Sequence, residues 1–220
     1  MTVLFLVACA LATLARPPIS VAHQGDPNYR SELEGVRPAA LADGLDFSVG
    51  NYDDFIALSN RSGETVVIDG YRGEPYLRFR PDGVVSVNTR SPAWFANRDR
   101  YGEVGVPGSA DPDAPPRWKR LGDEGRYAWH DHRSHWMGKG LPPQVSDRSV
   151  RTEVFGYSIP LEVDGRSADL TGTLYWVGSG GGPTLWPFLI LGTVVIAGCT
   201  LLLVRRRRSG ETGGSREASP

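Results

Sequence analysis

Three histidines and a methionine fall within nine residues, "WHDHRSHWM", Trp129 to Met137. The whole 220-residue chain holds only four histidines and two methionines. Neutral imidazole is a ligand for Zn, Cu, Fe and Ni, and a thioether close by tilts the preference toward Cu(I). Read as a strand running into a turn, "RYAWHDHRSHWM" places Ala128, His130 and His132 on one face and Tyr127, Trp129 and Asp131 on the other. Two imidazoles at i and i+2 on one strand face can reach a single ion. His135 can fold back from the turn, and Met137 adds a soft donor. Asp131 and Trp136 flank the ligands as residues that could orient an imidazole, although alternation points Asp131 the other way. Arg133 counts against a metal, since a cation beside the cluster raises the cost of adding another. A His-x-His pair in an aromatic strand is equally compatible with plain hydrogen bonding, so the cluster alone leaves both readings open.

The fourth histidine is His23. Residues 3 to 15, "VLFLVACALATLA", followed by "RPPISVA", read as a secretory signal peptide over residues 1–22, with Ser20 and Ala22 at −3 and −1. Cleavage after Ala22 makes His23 the mature N-terminus. Its α-amine, with a pKa of about 8, and its imidazole can then chelate one ion as a histidine brace, a nitrogen set that matches Cu(II). This N-terminal histidine resembles that of secreted copper carriers and of copper oxygenases. All four histidines thus fall at the expected new N-terminus or within six residues of one another.

Positioning these residues requires a folded domain outside the cytoplasm. Residues 183–204, "PTLWPFLILGTVVIAGCTLLLV", are 22 residues without a charge, long enough to span a bilayer as a helix. Arg205, Arg206, Arg207 and Arg208 follow at once as a stop-transfer signal. By the positive-inside rule the tail 205–220 is expected in the cytoplasm and residues 23–182 outside, a single-pass cell-membrane protein. Residues 23–182 carry 23 acidic and 18 basic side chains, whereas the tail is net positive. A mildly acidic outward domain argues against nucleic acid as a partner. Cys9 lies in the signal and Cys199 in the expected span, so the domain has neither a disulfide nor a thiolate ligand.

The domain, residues 23–178, is expected to be all-β. Segment 23–44 reads as polar chain lying over the surface. "LDFSVG", "FIALSN", "ETVVIDG" and "YLRFRPDGVVSVN" then read as strands, with a turn at Pro81-Asp82-Gly83. "RWKRL", "RYAWHDH" and a hairpin around Asp164-Gly165 complete about eight strands, and the pattern predicts a single Ig-like β-sandwich. Residues 179–182 form a Gly-rich linker to the membrane. The pairs Asp53-Asp54 and Asp111/Asp113 lack calcium-loop spacing and read as surface turns.

"PNYRSE", "GYRGEPYLRF", "ADPDAPPRW", "WHDHRSHWM" and "TGTLYWV" resemble segments of a family of membrane-anchored proteins of high-GC Gram-positive bacteria. The resemblance implies a loose association with copper handling and assigns no residue a role. The expected function is therefore a membrane-anchored, extracytoplasmic copper-binding protein that captures, buffers or delivers copper, Cu(II) or Cu(I), to an importer or a cuproenzyme. The alternative is a metal-free envelope module that binds a partner protein through its aromatic segment, Trp118 to Trp136. An oxygen-activating enzyme needs an open coordination position and a substrate surface, and no enzyme activity is expected.

Overall fold

The computed structural model describes residues 25–178 and, near the C-terminal end, residues 192, 193, 195, 196, 198–200 and 202, which are helical. The expected signal peptide 1–22, His23, the expected linker 179–182, most of the apolar segment 183–204 and Arg205 to Arg208 lie outside the described residues. Among the described residues no helix is long and apolar enough to cross a membrane. The chain divides into two units, Met1–Gly180 and Gly181–Pro220, and everything that follows concerns the first.

Over the described residues that unit is all-β, with ten strands in two antiparallel sheets. The larger sheet runs in the order β1 (Tyr29–Arg37), β10 (Arg166–Trp176), β9 (Thr152–Val163), β4 (Val66–Asp69), β5 (Pro75–Phe79), β6 (Val85–Asn88) and β7 (Trp118–Gly122). The smaller holds β2 (Leu45–Gly50), β3 (Phe55–Asn60) and β8 (Arg126–Trp129). A short helix, α1 (Pro92–Ala96), starts at an N-cap Ser91 with proline in its first turn.

Period-two alternation explains the long strands. In β9 Val154, Tyr157, Ile159, Leu161 and Val163 are buried, with exposed residues between them. Asp164 and Gly165, both at positive φ, join β9 to β10 through the tight turn that Asp-Gly favours. Ile56, Leu58 and Trp129 of the small sheet share one core with Ile68, Leu77, Phe79, Ile159, Leu161 and Leu170 of the large one. Each such aliphatic or aromatic side chain contributes about 1.5–3 kcal/mol on burial.

Three expectations are corrected. Segment 23–44 is not surface coil throughout: β1 pairs along β10 from Tyr29↔Trp176 to Arg37↔Asp169. A bulge between Leu33 and Gly35 interrupts its period, and the pattern of buried Tyr29, Ser31 and Val36 is hidden in the sequence for that reason. The strand in "RYAWHDH" ends at Trp129, so His130 and His132 do not share a strand face. Asp53 and Asp54 are buried rather than part of a surface turn.

Candidate metal centre

Strand β8 delivers Trp129 into the core, paired with Ile56 of β3, and the chain then turns sharply around Asp131. Asp131 is fully buried. Its carboxylate accepts from Trp129 Nε1 at 3.0 Å, Arg133 Nε at 2.8 Å and the Arg133 backbone N–H at 3.1 Å. Its carbonyl accepts from the Ser134 N–H at 3.1 Å and from Ser134 Oγ at 2.9 Å. An aspartate accepting from the backbone two residues on folds the chain back on itself. The turn therefore does what strand alternation was expected to do: it gathers His130, His132 and His135.

The three rings pack together. Their centroids lie 4.5 Å apart for His130–His135, 5.4 Å for His130–His132 and 5.5 Å for His132–His135. One ring nitrogen from each can be chosen so that all three lie within 4.8 Å of one another. Zinc-type distances of 2.0–2.1 Å would require nitrogen separations of about 3.3 Å in a tetrahedral site and about 4.1 Å for a trans pair, so modest ring movements close the site.

Hydrogen bonds select the nitrogens. A carbonyl oxygen can only accept, so a ring nitrogen facing one carries the proton. His130 Nδ1 faces the Asp54 carbonyl, and His135 Nδ1 lies 3.2 Å from the Trp136 carbonyl. In neutral rings this leaves both Nε2 lone pairs free, and both atoms are buried without a hydrogen-bond partner. His132 is set the other way: its Nε2 donates to the Asp99 carbonyl at 2.7 Å, leaving Nδ1 as the donor to an ion. Fixing one nitrogen on a carbonyl to free the other is how proteins orient metal-binding imidazoles. A buried polar atom without a partner is rare, and an ion is one of its standard explanations.

Asp131 orients no imidazole directly; it holds the loop through Trp129 and Arg133. Trp136 acts through its carbonyl, while its indole N–H is given to the Gly140 carbonyl. Arg133, expected to repel a metal, is neutralised by Asp131 and donates to the Asp69 carbonyl at 3.0 Å. Gly102 has both Met137 and the His132 ring as neighbours: a Cβ there would lie 3.2 Å from His132 Cε1 and 3.6 Å from Met137 Cε, and the two side chains line one surface cleft with His135. Tyr71 stacks on His132, with centroids 5.8 Å apart, and its hydroxyl accepts the His132 backbone N–H at 2.9 Å.

Several residues about the site were invisible in the motif. Asp54 receives His130, Asp99 receives His132, and Arg100 pairs with Asp53 at 2.8 Å. Burial lowers the His130 pKa, and it pushes His135 down to about 2 with help from the neighbouring His130 and Arg100. His135 is thus neutral in the folded protein at pH values where histidines of the unfolded chain protonate, near 6.5, and His130 is shifted the same way. The unfolded state then binds more protons as pH falls, so stability present above pH 6.5 is lost on acidification. For the metal-free protein we expect a loss approaching about 1.4 kcal/mol per pH unit from His135 between pH 6.5 and 5, with His130 acting in the same direction. Denaturant midpoints at pH 7, 6 and 5 measure it, and a flat profile excludes a neutral buried His135.

Comparison of the chain with known families, with curated proteins and with solved structures gives no match. The site is therefore read from its own geometry.

Proposed function

We propose that the domain binds copper through His130 Nε2, His135 Nε2 and His132 Nδ1, as a membrane-anchored extracytoplasmic protein that captures, buffers or delivers the metal. The observation that carries the reading is the pair of buried, unpartnered Nε2 atoms on rings 4.5 Å apart. Copper is favoured over other imidazole-binding metals by Met137 beside His132. Anchoring rests on the apolar segment 183–204 and the four arginines after it.

His23 is the proposed further ligand. The first described residues are pinned close to the Asp53-Asp54 segment: the Asp26 N–H donates to Asp53 Oδ1 at 3.1 Å, and Gly25 packs on the Asn51 carbonyl with no space for a Cβ. Residue 23 stands two positions earlier, about 7 Å of extended chain, and Asp54 is the residue whose carbonyl receives His130. A partner-binding role for Trp118 to Trp136 has less support, because Trp129 is buried and Arg78 covers the Trp118 ring at 4.3 Å.

The test is a copper titration of the processed protein, its start confirmed by intact mass. One Cu(II) per chain with nitrogen hyperfine structure in EPR is expected. One added residue ahead of His23 is expected to weaken Cu(II) binding and leave a weaker three-histidine site. Absence of stoichiometric binding of either Cu(II) or Cu(I) sinks the proposal.

A further inference from the structure

The histidine loop shares a cleft with a strand edge that the large sheet leaves open. Of the twelve residues of β9, β4 pairs only with Leu161, Glu162 and Val163, whereas β10 pairs along the other side from Thr152 to Val163. Ladder bonds alternate along an antiparallel strand, and a proline within one turns its nitrogen to the unpaired side. Pro160 stands opposite Asp169 of β10, so its nitrogen faces the open side. Two and four residues earlier in an unbroken register, the N–H and C=O of Ser158 and Gly156 face that side as well. Among the described residues no other hydrogen bond reaches the main chain of either.

Gly156 and Ser158 line a cleft of about 390 Å3 whose lining also includes His132, Arg133, His135 and Met137. Two of the three histidines and the thioether therefore share one opening with unpaired main chain. At the end of the cleft where β4 stops, Arg133 donates to the Asp69 carbonyl. Burial, then the charge of Glu162 and those of Glu74 and Asp169, raise the Asp69 carboxyl to about 6 against the opposing charge of Arg133. Asp69, Glu162 and Asp169 form no salt bridge among the described residues. Arg133, the one arginine or lysine that lines the cleft, is bound to Asp131. The open edge thus ends among unneutralised acids.

We propose that β9 takes an extended, basic segment of a partner protein as an added strand, bonded to the main chain of Gly156 and Ser158 beside the histidine site. Main-chain bonds supply affinity in such an addition, and the acids around Asp69 favour lysine or arginine in the segment. Pro160 blocks pairing at one end of the open stretch and so fixes where the segment lies. Alternate side chains of the segment turn toward the histidine loop, where a methionine can pass Cu(I) to or from the site. That step, which makes the partner a copper donor or acceptor, rests on the copper reading above; the strand addition does not.

The probe is a labelled synthetic peptide of alternating Lys and Val with a central Met, titrated against the metal-free full chain. Saturable binding is expected, at least tenfold weaker when Glu replaces Lys. N-methylation of one set of alternate amides is expected to cost at least tenfold in affinity, and of the other set little. No binding, or equal effects of the two methylations, overturns strand addition; equal affinity of the Glu peptide overturns the basic partner. Ser158→Pro, which removes an edge N–H as Pro160 already does, is expected to weaken binding at least tenfold, and Ser158→Ala to leave it unchanged. Unchanged binding by a folded Ser158→Pro chain moves the site off β9 and overturns the proposal. Should that variant not fold, the methylated pair on the wild-type chain decides. With Cu(I) loaded, the Met peptide is expected to speed transfer to a chelator at least tenfold over its norleucine counterpart, and equal rates overturn the metal role. A chain that binds copper but not the peptide loses the strand site alone; one that binds the peptide but no copper loses the copper reading and the metal role with it.

Discussion

His135→Ala is expected to lower copper affinity more than 100-fold. Even the removal of a group that merely supports a metal ligand costs about 10- to 100-fold in affinity, and loss of the ligand itself exceeds that. His135 has no substitute: it is buried to 1% exposure, its Nδ1 is committed to the Trp136 carbonyl, and its Nε2 makes no hydrogen bond. His130→Ala is expected to match it, since His130 shares the same arrangement against the Asp54 carbonyl. His132→Ala is expected to cost less. Its ring is less buried, leans on Tyr71, and stands beside Met137, whose thioether can take over part of its role toward Cu(I). Competition with a chelator of known copper affinity gives the ranking, and circular dichroism confirms that each variant is folded. Unchanged affinity in both His130→Ala and His135→Ala removes the three-histidine site altogether.

The residue types of this site are plain in the sequence, but the means of bringing them together is not. "HDHRSH" announces three imidazoles, yet the alternation used to place them fails because β8 stops at Trp129. What gathers them is a turn around a buried aspartate. Asp131 looks like any charged residue in a polar stretch until its partners Trp129 and Arg133 are known. The groups that set the ring tautomers are less visible still. His130 is matched by a carbonyl 76 residues away and His132 by one 33 residues away. Every residue has a carbonyl, so no residue type betrays such a partner. Asp53-Asp54 misled for a related reason: adjacent acids read as solvent-exposed, and their burial depends on partners distant in the chain, such as Arg100, 47 residues from Asp53, and the Asp26 N–H. Strands were legible where the period ran unbroken, as from Tyr157 to Val163 of β9 and through the Asp164-Gly165 turn, and hidden where a bulge broke it, as in β1.

Because one aspartate both closes the loop and neutralises an arginine, Asp131→Ala is expected to destabilise the domain by about 3–5 kcal/mol, the cost of stripping one partner from a buried ion pair. Asp131 is fully buried and the Arg133 side chain is 18% exposed. The substitution strands that guanidinium and takes the acceptor from the Trp129 indole N–H. Arg133 keeps the Asp69 carbonyl and lies over the Tyr71 ring at 5.1 Å, which holds the loss below that of a wholly abandoned charge. Against a typical domain stability of about 5–15 kcal/mol, such a loss is visible in any urea titration. Asp131→Asn retains an acceptor oxygen and is expected to cost less. Combining it with Arg133→Leu, which removes the unpaired cation, is expected to recover part of the loss, a coupling that a double-mutant cycle measures directly. Copper affinity separates the two duties of the residue. If Asp131 only balances charge, the double variant regains metal binding along with stability. If the hydrogen bond that its carboxylate accepts from the Arg133 N–H is what presents His132 and His135 to the ion, Asp131→Asn with Arg133→Leu, which leaves an acceptor for that turn, binds copper, whereas Asp131→Ala with Arg133→Leu is folded and does not. A destabilisation under 1 kcal/mol for Asp131→Ala, with copper affinity intact, would mean that the turn holds without it and that the three histidines are gathered by the packing of their own rings.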